Sequence, residues 1–135
     1  DNLRSGLNKD LGFTPEDRAE NVRRVAEVAH LMYDAGMVVI VALVSPFRAD
    51  RQAARSLFGE GEFIEAWVDT PIEVAMERDT KGLYAKSKSG NLPNLTGVGQ
   101  QYEDPESAEL HLSGTDPVEQ NVDTVLRMLL PDAVD

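Results

Sequence analysis

Cysteine is absent from the 135 residues. That excludes disulfides, thiolate metal sites and a cysteine nucleophile, and it fits a reducing, cytoplasmic setting. Long apolar runs are missing too. The longest, Met37 to Val44, is far short of the roughly 18–20 residues of a membrane span, so a membrane protein is not expected. The polar start, Asp1-Asn2-Leu3-Arg4, does not read as a secretory signal. Positive charge is scarce in the second half. Residues 1–60 carry eight Lys/Arg against nine Asp/Glu, whereas residues 61–135 carry five against fifteen. The net charge of -11 argues against a nucleic-acid or acidic-membrane binder. A further absence is Gly-x-x-x-x-Gly-Lys-[Ser/Thr], the loop whose backbone N–H groups and lysine hold nucleotide phosphates.

What is present reads as one α/β domain of ordinary soluble composition. The first thirteen residues read as a loop punctuated by Gly6, Asn8 and Gly12. Thr14-Pro15-Glu16-Asp17 is a helix start, with Thr as N-cap, Pro at the first position and acids in the first turn. Val22, Val25, Ala29 and Met32 make its apolar stripe, and Gly36 stops it. Met37 to Val44, β-branched and apolar on both faces, predicts a central parallel strand. A helix is expected over 49–58, a strand over 63–68, and a helix capped by Thr70 with Glu73 closing a capping box. Residues 80–107 show little periodicity and read as a long loop. A strand over 109–112 and a last helix after Asp116-Pro117 close the chain. The stripe of that helix is Val118, Val122, Val125, Leu126 and Leu129.

This alternation predicts a parallel sheet flanked by helices. Ligands of such sheets bind beyond the carboxyl ends of the strands. The segments there are Ser45-Pro46-Phe47-Arg48, Asp69-Thr70-Pro71 and Ser113-Gly114-Thr115-Asp116. The first half carries an arginine series, Arg4, Arg18, Arg23, Arg24, Arg48, Arg51 and Arg55. Most of these read as solvated helix charges, but some can form a local anion site on an otherwise acidic protein. His30 and His111 show no partner at ligand spacing and read as structural. Trp67 reads as core.

Several stretches resemble the adenylylsulfate kinases. They are Asp1-Asn2-Leu3-Arg4, Gly6-Leu7-Asn8-Lys9-Asp10-Leu11-Gly12-Phe13, Asp17-Arg18-Ala19-Glu20-Asn21-Val22-Arg23-Arg24, Ser45-Pro46-Phe47-Arg48, Gly59-Glu60-Gly61-Glu62-Phe63-Ile64-Glu65, Val68-Asp69-Thr70-Pro71 and Arg78-Asp79-Thr80-Lys81-Gly82-Leu83-Tyr84. Asn94-Leu95-Thr96-Gly97 and Tyr102-Glu103 complete the set. The resemblance, over residues 1 to about 112, implies a P-loop NTPase fold of the nucleoside-monophosphate-kinase type. It implies transfer of the γ-phosphoryl group of ATP, with Mg2+, to the 3′-hydroxyl of adenosine 5′-phosphosulfate. It also implies a homodimer and a fused or associated sulfate adenylyltransferase, with no nucleic acid and no membrane among the partners.

Site residues follow from the same resemblance. Asp1 matches a catalytic aspartate near Mg2+ or the attacking hydroxyl. Arg4, Phe13, Arg18 and Asn21 match the adenylylsulfate-binding set, and Arg18 and Asn21, three apart on a helix, share a face. Two guanidiniums suit a phosphosulfate and Phe13 can stack on adenine. Ser45 matches a serine regarded as catalytic. No neighbouring base activates it as a nucleophile, which favours substrate contact by Val44 and Ser45. Lys81 and Leu83 match substrate contacts in a lid over about residues 79–105. Leu95 stands where the family has a phenylalanine that stacks on adenine, so it offers apolar contact without a ring. Arg78, Thr115 and Pro117 are expected on the ATP side. The resemblance places the phosphate loop and its strand upstream of Asp1, so the sequence is expected to be an N-terminally incomplete kinase domain, inactive alone. The alternatives are a non-catalytic adenylylsulfate-binding or assembly domain of a larger sulfate-activating protein, and a nucleotide kinase with another acceptor.

Overall fold

The computed structural model describes residues 2–79, 82–88, 95–97 and 101–130. The chain forms two compact units, one of residues 1–63 and 83–104, the other of residues 64–82 and 105–135.

The first unit is built on helices. A short α1, Asn2–Ser5, occupies what the sequence presents as loop. Helix α2 spans Pro15–Asp34. Thr14 caps it: its hydroxyl accepts from the Asp17 N–H at 3.2 Å, with Pro15 in the first turn. Gly36 ends it at φ +83°, a conformation in which a Cβ is strained. Gly36 N–H bonds to Tyr33 C=O and Met37 N–H to Met32 C=O, which satisfies the last carbonyls in a Schellman arrangement. The buried positions of α2 are Arg18, Asn21, Val22, Val25 and Ala26, the i, i+3, i+4, i+7 spacing of one helix face. Val22 and Ala26 pack with Ala54 of α3, Arg48–Arg55, and with Leu57 and Phe63. Helix α3 has no cap from its own neighbourhood. The Arg48 N–H donates instead to the Glu103 carboxylate at 2.7 Å, a favourable place for negative charge. Phe58 meets His30, Tyr33 and Phe63 edge-on or tilted, with ring centroids 5.2, 5.9 and 5.5 Å away. A helix α5, Leu83–Lys88, lies where the sequence reads as irregular.

Met37 to Val44 forms no strand, contrary to its pattern. It is exposed except at Val39, which is half-buried, with Val38 at 72% and Ile40 at 80% of full accessibility. A strand exists through a neighbour's hydrogen bonds, and apolar residues on both faces need cover on both. Among the described residues this run has no ladder partner.

The second unit holds the sheet of the described residues: β1, Ala66–Asp69, parallel to β2, Leu110–Ser113. The register sets Trp67 against His111 and Asp69 against Ser113. Leu110 and Leu112 point inward and are buried. Helix α4, Ile72–Arg78, follows β1, and α6, Val118–Leu129, packs on β2. Two expectations need correction. Pro71, not Thr70, stands at the cap of α4 and no side-chain cap bond forms, so the capping box is absent. Thr70 instead crowds Gly114, where any Cβ would collide with its hydroxyl. The stripe of α6 has helical period, but Val118 and Val122 are exposed and none of its residues is buried. Trp67 is half-buried and stacks on His111 with centroids 4.5 Å apart and planes 10° from parallel. His111 is also partnered, by Asp69 at 3.1 Å.

Candidate functional site

The first group of expected site residues lies at the N-terminal end of α2. Arg4, in α1, turns its guanidinium onto the Phe13 ring, 4.5 Å from the centroid, and donates to the carbonyls of Leu11 and Gly12 at 3.2 and 3.0 Å. Arg18, from α2, lies 5.6 Å from the same centroid and donates to the Phe13 carbonyl at 3.3 Å. One aromatic ring thus gathers two cations. The Phe13 ring remains half exposed. Arg18 is buried at 9% accessibility. Burial first, and the charge of Arg4 second, pull the pKa of Arg18 down. A desolvated cation next to a like charge gains from an anion that neutralises both. Asn21 lies one helical turn on, on the same buried face. Helix periodicity alone makes this possible: residues 18, 21 and 22 share a stripe, so the face that binds the core also holds the polar groups rigid.

The approach loop is strapped to α2. Gly12 N–H donates to Asp17 at 3.0 Å. Arg24 reaches back to Asp10 at 2.8 and 2.9 Å, to the Leu7 carbonyl at 3.1 Å and to Glu20 at 2.8 Å. Hydrogen bonds from Arg23 and Arg24 pull the Glu20 carboxyl down to about 2, and the bond from Arg24 lowers Asp10.

A second place in the same unit holds Val44 and Ser45. Val44 is exposed, and Ser45 has φ +41°, rare for a residue with a side chain. Pro46 beside it is fully buried. Arg51 fixes this turn. It donates to the Ser45 carbonyl at 2.7 Å and to the Glu103 carbonyl at 2.6 Å, with its guanidinium 5.5 Å from the Tyr102 centroid. Glu103 N–H donates to Pro46 C=O at 2.8 Å. The segment ending the expected lid is therefore bonded to the Ser45 turn. Leu95 is half-buried, and Leu83, at the start of α5, is exposed. Asp1 and Lys81 lie outside the described residues.

The expected ATP-side residues lie in the other unit. Arg78, in the last turn of α4, donates to the Gly114 carbonyl at 2.7 Å. Thr115 follows, its hydroxyl 2.8 Å from that of Ser113, and Pro117 sits at the cap of α6. The turn beyond β2 thus gathers Arg78 and Thr115, with Pro117 close by in sequence. The sequence gives no role to Asn8, Arg24 or Arg51. Asn8 lies within the quoted Gly-Leu-Asn-Lys-Asp stretch, but only its burial reveals it.

The family described as adenylylsulphate kinase matches residues 1–113. The chain belongs to this family. It is 54% identical over 129 residues to an adenylyl-sulfate kinase of Klebsiella pneumoniae, across 96% of this chain and 64% of that protein. It is 62% identical over 112 residues to the bifunctional enzyme NodQ of Rhizobium tropici, across 83% of this chain but 18% of the other. The chain therefore spans less than two thirds of the curated relatives it matches. The structure of the Mycobacterium tuberculosis APS kinase CysC in complex with AMPPNP and APS superposes with a TM-score of 0.90 at 39% identity, covering 95% of this chain and 75% of that one. The P-loop NTPase type of α/β fold, with its parallel sheet and flanking helices, follows from that kinship.

Proposed function

We propose that the protein to which this chain belongs phosphorylates adenosine 5′-phosphosulfate at its 3′-hydroxyl, using ATP, as an adenylylsulfate kinase. The observation that carries this is the pair Arg4 and Arg18 held on Phe13, a preformed cationic site on an otherwise acidic chain. In the reaction the 3′-oxygen bonds to the γ-phosphorus, the bond to the β–γ bridging oxygen breaks, ADP leaves and the hydroxyl gives up its proton. Such transfers rest on positioning and on charge stabilisation rather than on covalent chemistry by the protein. The guanidiniums of Arg4 and Arg18 hold the acceptor's phosphosulfate, Phe13 offers its exposed ring to the adenine, and Asn21 adds a hydrogen bond. Val44 and Ser45 line the acceptor side without forming a covalent intermediate, and Leu83 and Leu95 add apolar contact. Asp1 and Lys81 complete this set in the reading. Arg78, Thr115 and Pro117 serve ATP.

Mg2+ travels with ATP in this reading. The described residues include no group of three or more acidic or histidine side chains that would hold the ion, and Asp1, the residue the reading sets near it, lies outside them. The likeness to a short part of a protein named as bifunctional supports a place within a larger polypeptide. No helix among the described residues is long and apolar enough to cross a membrane. The test is calorimetric binding of adenosine 5′-phosphosulfate to this chain. Arg18→Ala is expected to weaken it by about a hundredfold, the size of lost charge-assisted bonds. Unchanged binding would remove the assignment.

A further inference from the structure

We propose that Arg51 is a positioning residue of the acceptor side, acting by holding Ser45 in its left-handed conformation; this rests on the reading above, in which Val44 and Ser45 line the acceptor. Ser45 has φ +41° and precedes Pro46. A serine with positive φ is uncommon, and the ring of a following proline favours an extended residue in front of it. The conformation is therefore strained and persists only where its surroundings impose it. Arg51 lies in α3, and its Nη1 donates to the Ser45 carbonyl at 2.7 Å. On the other side of the same peptide unit, Pro46 is fully buried. The Ser45 carbonyl is thus pinned between a helix and a buried ring.

The guanidinium is itself held by its other arm. Nη2 donates to the Glu103 carbonyl at 2.6 Å, and the guanidinium carbon lies 5.5 Å from the centroid of the Tyr102 ring. Residues 102–104 are fastened in turn to the start of α3. Glu103 N–H donates to the Pro46 carbonyl at 2.8 Å, the Glu103 carboxylate accepts from the Arg48 N–H at 2.7 Å, and Arg48 Nε donates to the Asp104 carbonyl at 2.6 Å. One arm of Arg51 therefore rests on a fixed support while the other holds Ser45. A lysine cannot do this, because its ammonium is a point charge on a flexible stem and lacks the planar fork. Folding alone gives no reason for the strain, since an extended residue before Pro46 would cost less. What the left-handed turn sets is the direction in which the chain leaves Val44, and with it the placing of Ser45 against the acceptor.

Two measurements on the chain test this. Without ligand, the Cα and carbonyl chemical shifts of Ser45, which report backbone dihedrals, are expected to leave the left-handed range in Arg51→Lys; unchanged shifts would overturn the proposal. Calorimetry with adenosine 5′-phosphosulfate is expected to show affinity about tenfold lower in Arg51→Lys, the size of one strained residue's constraint. In a Ser45→Gly background the same change is expected to cost less than about threefold, because glycine takes positive φ without strain. Wild-type affinity for Arg51→Lys, or the full tenfold loss in the glycine background, would equally overturn it. Should Arg51→Lys fail to fold, Tyr102→Leu replaces it, since it takes only the ring from beside the guanidinium. A loss of about threefold is then expected, again absent beside Ser45→Gly, and wild-type affinity would refute the idea. Retention of binding by Arg18→Ala would instead sink the adenylylsulfate reading, and the Ser45 shifts, read without ligand, would still decide the role of Arg51.

Discussion

Residues 2–26 and residues 37–44 belong to the same unit and differ in how they find partners. In the first stretch nearly every structuring bond is local. Arg4 reaches Leu11 and Gly12, Asp17 reaches Gly12, Asn8 reaches Asn21, and Arg24 reaches Asp10. In the second the side chains are the most strand-like of the chain, yet Val38 and Ile40 stand in solvent. The difference shows that strength of pattern is not what makes an element. An element forms where its partners are supplied, and a helix supplies its own backbone partners while a strand does not. The candidates Arg4, Phe13, Arg18 and Asn21 fall in the self-sufficient stretch, held together by bonds within a few turns of chain, whereas the candidate Val44 ends the other stretch.

The largest expected effect that separates the two stretches comes from truncating one apolar residue in each. Val22 is buried against Ala26 and Ala54. Val22→Ala is expected to cost about 2 kcal/mol in denaturant unfolding, from lost burial and the cavity left behind. Ile40→Ala is expected to fall within about 0.5 kcal/mol of wild type, as for exposed positions. Equal losses at both positions would mean that the 37–44 run is packed in solution, and the contrast would collapse.

A smaller effect sharpens the helix side of the comparison. Thr14→Ala removes the hydroxyl that accepts from the Asp17 N–H and is expected to cost about 1 kcal/mol. Because Asp17 also holds Gly12, fraying of this turn should reach the Phe13 approach. A readout is proton exchange at Gly12 and Asp17, faster in the variant, with the C-terminal turn at Gly36 unchanged.

The legibility of the sequence follows the same division. Thr14-Pro15 and Gly36 bracket α2 because caps act through adjacent atoms, and Arg18 and Asn21 share a face because helix geometry requires it. The strands 66–69 and 110–113 and helix α6 also lie near where pattern and punctuation put them. What fails depends on distant residues. The cap of α3 comes from Glu103, and Thr70 is drawn to Gly114 instead of capping α4. Helices α1 and α5 lie in stretches rich in Gly, Ser and Lys, where local propensity is weak and tertiary context decides. At the candidate site, the guanidiniums of Arg4 and Arg18 lie over the Phe13 ring because a short loop and one helix turn bring all three together. Asn8 was not legible because a polar residue in a Gly-rich stretch reads as a turn, and only its burial against Asn21 gives it a role.

The smallest expected effect concerns pH, and it tests whether the local strap holds the site stretch. Glu20 has a folded pKa of about 2, set mainly by hydrogen bonds from Arg23 and then Arg24, below its ordinary value of 4.5. Asp10 is displaced in the same direction by Arg24. A carboxylate with a depressed pKa contributes stability that is fully present above its unfolded value and lost as pH falls through the folded one. The strap should thus be intact above about pH 4.5 and weaken toward about pH 2. These groups are solvent-facing, so salt should screen the effect and its contribution to global stability should be small. Proton exchange at residues 7–12 is the sensitive readout, rising on acidification ahead of exchange in the Val22–Ala26 turn. Glu20→Gln should raise exchange in the loop at pH 7 and flatten its dependence on pH. Loop exchange that ignores both acid and the substitution would show that the stretch is held by the Arg4 and Asn8 bonds alone, and that Arg24 decorates α2 without fastening anything to it.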